Sequence, residues 1–100
     1  MKKILALAMV LCLSLAGCGA TPIEKCQQRA VSIGEQFLDF EISEEEAIER
    51  LESLRVPETE GNGQLYLDCD IDALAFSIRI GSSYEKIKDR VDSIRDHTYE

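Results

Sequence analysis

An α-helix begins with N–H groups that have no partner inside the helix, and this chain supplies side chains to satisfy them at three separate places. Thr21-Pro22-Ile23-Glu24, Ser43-Glu44-Glu45-Glu46 and Ser82-Ser83-Tyr84-Glu85 each set a hydroxyl three residues ahead of a glutamate. That is the capping-box spacing, in which the hydroxyl accepts from the third helical N–H and the glutamate reaches back. In the first box Pro22 occupies the opening helical position, where its missing N–H costs nothing. In the second, three carboxylates crowd the first turn, where the helix dipole favours negative charge.

The apolar residues behind each start repeat at helical spacing. Ile23, Cys26, Ala30, Ile33, Phe37 and Phe40 alternate in steps of three and four, which predicts one narrow stripe along a helix of about five turns. Gly34 interrupts its interior, at a cost of up to about 1 kcal/mol against alanine unless another chain segment approaches closely there. Ala47, Ile48, Leu51 and Leu54 give the second helix its inner face, with Pro57 as its stop and residues 57–63 as an exposed loop. Tyr84, Ile87, Val91 and Ile94 form the stripe of the last helix.

Residues 65–80 carry two periods. Leu65, Leu67, Cys69 and Ile71 alternate with Tyr66, Asp68 and Asp70 as a strand would. Ile71, Leu74, Ala75 and Ile78 then fall at helical spacing, with Ala73, Phe76 and Ile80 on a second apolar face, the pattern of a helix buried all round. A lone strand has no partner to pair with. The favoured reading is a helix starting near Asp68 or Asp70 and stopping at Gly81, which follows it in the C-cap role. The expected fold is therefore all-α, a small antiparallel four-helix domain made of two helical hairpins over residues 22–100. The alternative is an α+β fold with a strand near residues 64–70.

Ahead of the first helix the chain has a different character. Lys2 and Lys3 precede an apolar run over residues 4–16 broken only by Ser14, the order of an export signal. The run is shorter than the roughly 20 residues needed to cross a bilayer. It ends in Leu15-Ala16-Gly17-Cys18, which resembles the lipobox of bacterial lipoprotein precursors. The resemblance implies that the Cys18 sulfur takes a diacylglyceryl group and that a signal peptidase, recognising Leu15, Ala16 and Gly17, cuts before it. Residues 1–17 would then be a removed signal peptide. Residues 18–21 would be a short tether, and the protein would be lipid-anchored outside the cytoplasm, on the cell membrane. Several acyl chains suffice for stable anchoring, since each buried methylene contributes about 0.8 kcal/mol. Fully extended, the tether reaches roughly 10 to 14 Å, which would hold the domain against the bilayer.

After such processing 83 residues remain, enough for one domain. They hold nine basic and nineteen acidic residues, a formal charge of −10. This excludes nucleic acid, which demands clustered Lys and Arg, and argues against electrostatic adhesion to anionic lipid. Of the four cysteines, Cys12 would leave with the signal and Cys18 would be lipidated. Cys26 and Cys69 remain as a candidate disulfide in a compartment where such bonds persist. The bridge would close a loop of about 44 residues, for roughly 4 kcal/mol in the chain-entropy model. Two buried free thiols are the other reading.

No catalytic constellation stands out. Asp68, Asp70 and Asp72 alternate like the start of a calcium loop, but Ala73 sits where the sharp turn needs glycine and Arg79 where a bidentate glutamate belongs. They read as residues that cap and charge a helix start. His97, the single histidine, has no companion at zinc-ligand spacing and reads as a frayed surface residue. The serines lack an elbow pattern, and there is no glycine-rich phosphate loop. The expectation is a non-enzymatic membrane-tethered module, without metal or cofactor, that accompanies another envelope protein. The alternative is an immunity or sequestering lipoprotein that captures a cationic peptide at the membrane.

Overall fold

In the computed structural model, which describes residues 21–99, each hydroxyl-led start opens a helix. Thr21 caps α1 (Pro22–Leu38), accepting from the Glu24 N–H at 3.3 Å. Ser43 caps α2 (Glu44–Glu52), accepting from the Glu46 N–H at 3.2 Å. A third helix, α3 (Gly63–Arg79), precedes α4 (Tyr84–Asp96). The cap of α4 is Ser83, whose hydroxyl accepts from Lys86 N–H at 3.2 Å, so the start lies one residue later than the box centred on Ser82 predicts. The backbone N–H of Ser82 is already committed to the Ser77 carbonyl, closing the end of α3.

The described residues contain no strand, and the four helices pack together as one all-α domain. α1 lies along α4, α2 against α3 and α3 against α4, while α1 and α3 meet more narrowly across the diagonal. Leu51, Leu67, Leu74, Ile78, Val91 and Ile94 fill the centre. Gly34 accounts for the intimacy of α1 and α4. A side chain there would collide with Val91 Cγ2 and touch Leu74 Cδ2 at 3.5 Å, so the glycine lets the two helices close.

Several expectations are corrected. α3 starts at Gly63, not near Asp68 or Asp70, because Thr59 provides the cap from outside the helix. Its hydroxyl accepts from Gln64 N–H at 3.1 Å, and Asn62, the N-cap residue, makes no side-chain cap bond. Residues 64–70 are thus helical, and the strand alternative falls. α2 ends at Glu52, well before Pro57. The Leu54 N–H donates three residues back to the Leu51 carbonyl at 3.2 Å, a tightened turn that ends the helix, leaving Leu54 half-buried against the core. The α1 stripe is wider than its narrow seam, adding Val31, Gly34 and Leu38, and it does not include Phe40, which is 89% exposed. Tyr84 is likewise exposed at the mouth of α4.

Two helices end in the same paired-bond motif, with different residues in the left-handed position. After α3 the Gly81 N–H donates to Ile78 and the Ser82 N–H to Ser77, with Gly81 at φ +72°, as the motif favours. After α1 the Phe40 N–H donates to Phe37 and the Glu41 N–H to Gln36, with Phe40 at φ +60°. A phenylalanine in this region is strained by contact between its Cβ and the backbone.

Candidate functional site

At about 100° of rotation per residue, Leu67, Ile71, Leu74 and Ile78 share one side of α3 and enter the core. Leu65, Cys69, Ala73, Phe76 and Ile80 fall within about 80° of one another on the opposite side. The sequence reads three of these, Ala73, Phe76 and Ile80, as a second buried face, and Leu65 and Cys69 as part of a strand-like alternation. In the structure the row faces solvent: Leu65 is 60%, Phe76 57% and Ile80 58% exposed, Cys69 is exposed and Ala73 half-buried. Four helices give each helix one inner side, and among the described residues no further element covers this one. The row runs about 22 Å along the helix.

Its edges are polar in a definite way. Asp68 and Asp72 stand exposed along one edge, and among the described residues neither makes an ion pair. Arg79, the basic residue of α3, is engaged by Glu52 of α2 at 3.2 Å. The other edge carries Tyr66 and Asp70, and Asp70 accepts the hydroxyl of Tyr99.

The structure does not join the predicted disulfide pair. Cys26 is buried on α1, while Cys69 is exposed on α3, and both are free thiols. The helical period is the reason. Leu67 and Ile71 take the inner positions, which rotates the intervening Cys69 outward. Burial raises the Cys26 pKa, the nearby Arg29 charge opposes this, and Asp68 adds to it. The remaining site residues predicted from sequence, Leu15, Ala16, Gly17 and the lipid acceptor Cys18, lie outside the described residues.

The three aspartates sit within α3 rather than at its start, Asp70 on the opposite edge of the outer row from Asp68 and Asp72, and no cluster able to hold a metal ion occurs among the described residues. His97 is exposed, as expected of a surface residue, but its backbone is held rather than frayed, its N–H donating to the Ser93 carbonyl. Gln27 Nε2 donates to the carbonyls of Ile94 at 2.6 Å and His97 at 2.8 Å, clasping the end of α4 to the start of α1. The chain then turns in so that Tyr99 is 2% exposed. The His97 ring lies 4.4 Å from that of Tyr99 and 6.4 Å, edge-on, from that of Tyr66. Burial, then the hydrogen bond and charge of Asp70, push the Tyr99 pKa well above its ordinary value. Sequence spacing missed this clasp because Gln27 and Tyr99 belong to no stripe.

One further recess, an open groove of about 510 Å³, lies between α1 and α2. Arg29, Gln36, Glu49 and Arg50 are among its lining residues, with Arg50 spent on Glu46 and Gln36. It holds no nucleophile paired with a base. No helix among the described residues is long and apolar enough to cross a membrane. No protein-family model matches the chain, and neither the curated proteins nor the solved structures yielded a similar protein.

Proposed function

We propose that the protein is a non-enzymatic, lipid-anchored module of the bacterial envelope that docks another envelope component through the outer face of α3. The observation that carries this is the uncovered row Leu65, Cys69, Ala73, Phe76 and Ile80, with large apolar side chains more than half exposed. Scattered apolar residues are ordinary on a surface, but a contiguous row marks an interaction site. The lipobox-like Leu15-Ala16-Gly17-Cys18 supports the anchoring, and the tether of a few residues supports a partner reached laterally along the same membrane.

The reading is tested in the native host with a photo-crosslinking residue at Ile80 and Phe76→Ser as the comparison. A discrete adduct should form and should disappear with F76S while thermal stability changes by no more than about 0.5 kcal/mol, as for an exposed position. An adduct unaffected by F76S defeats the docking assignment. Mass spectrometry of the mature N-terminus checks the anchor, and an unmodified Cys18 defeats it.

A further inference from the structure

Resting on that docking face, we infer that its partner is a cationic amphipathic helix of a second protein, about four turns long. Length comes first. The row spans about 22 Å, the reach of roughly fifteen helical residues, and its steps of three and four present a straight seam such as one helix offers another. Charge comes second. The row is bordered by Asp68 and Asp72, which lack ion-pair partners among the described residues, and beyond Asp72 the α2 side of the bundle exposes Glu44, Glu45, Glu49 and Glu52. A helix whose apolar side meets Leu65, Phe76 and Ile80 would therefore bring its lateral positions against carboxylates, and Lys or Arg there completes the contact.

The same charges disfavour the other occupants. A second copy would set one set of carboxylates beside another, with Arg79 already held by Glu52, and would add like net charge to a chain formally at −8. An anionic lipid surface is repelled by the same aspartates.

The experiment uses the processed, lipidated protein in phosphatidylcholine nanodiscs, with empty discs subtracted, and two labelled synthetic 15-residue amphipathic helices read by fluorescence anisotropy. One carries leucine on one side and lysine elsewhere, the other leucine and glutamate. The leucine/lysine helix should bind at least about tenfold more tightly than the leucine/glutamate helix. Its affinity should fall severalfold between about 0.05 M and about 0.5 M salt, as the Debye length contracts. Asp68→Asn with Asp72→Asn should weaken it severalfold, whereas Asp39→Asn with Glu41→Gln, the same charge change at the exposed end of α1, should not. Phe76→Ser with Ile80→Ser should weaken it by about tenfold or more, with helical circular dichroism verifying that each variant is folded.

Equal binding of the two helices, or equal effects of the two charge pairs, overturns the inference. Self-association in the nanodiscs that F76S abolishes assigns the row to a second copy, overturning the inference while leaving α3 as the docking face. Absence of peptide binding alongside an F76S-sensitive adduct in the host overturns the partner's chemistry alone. Absence of both removes the docking reading itself.

Discussion

Phe40 and Gly34 occupy positions whose demands oppose their side chains in different ways. Phe40 holds φ +60° while its ring is 89% exposed, so the strain of the left-handed conformation is offset by almost no burial. Replacing Phe40 with Gly, the usual residue in this position, should stabilise the protein by about 1 kcal/mol in urea denaturation. A loss of stability would mean that the ring contributes packing. Gly34 is the reverse case. Alanine would improve helix propensity by up to about 1 kcal/mol, but its methyl collides with Val91, a β-branched residue with little rotamer freedom. Gly34→Ala should therefore be a net loss of about 1 to 2 kcal/mol in the same assay, and the paired change Gly34→Ala with Val91→Ala should cost less than the sum of the two.

At the scale of the helices, starts and stops are decided by single hydrogen bonds. Ser83, not Ser82, accepts from the first turn of α4. Ser83→Ala should accordingly cost about 1 kcal/mol and Ser82→Ala less than about 0.5 kcal/mol by thermal denaturation. These elements also define what the sequence could disclose. The caps at Thr21 and Ser43 and the stop at Gly81 were legible because each acts within a few residues of the helix it bounds. The start of α3 was not, because Thr59 caps it across a loop and because Leu65, Leu67, Cys69 and Ile71 mimic a strand when read two by two. Both apolar rows of α3 were visible in the spacing. That one of them remains uncovered depends on how many helices surround it, which spacing along one helix does not encode. The same limit hid the fate of Cys69: an alternating count places it with Leu67, and a helical count turns it away.

Among the described residues α1 and α4 make the most extensive helix contact, and two ionisable groups, Cys26 on α1 and Tyr99 beyond α4, tie stability to pH. Tyr99 and Cys26 both have pKa values raised in the folded state, from ordinary values of 10.0 and 9.0. In each case the folded protein keeps a proton that the unfolded chain loses, so their contribution is fully present below those ordinary values and declines as pH rises past about 9 to 10. Urea midpoints should fall steeply above about pH 9.5, and Tyr99→Phe should flatten that decline while lowering stability at pH 7 by about 1 kcal/mol through the lost bond to Asp70. A decline of unchanged steepness in Y99F would place the alkaline sensitivity elsewhere.

The clasp from Gln27 to the carbonyls of Ile94 and His97 joins groups 67 and 70 residues apart. For a chain threaded N-terminus first through a translocation channel, such a contact has a timing consequence. The opening helix arrives early, yet its clasp partners follow it by 67 and 70 residues. Until they emerge, α1 lacks the α4 surface that covers it, and the chain behind it stays slack enough to keep moving through a narrow pore. A domain locked in this way is one whose folding would wait on the arrival of α4.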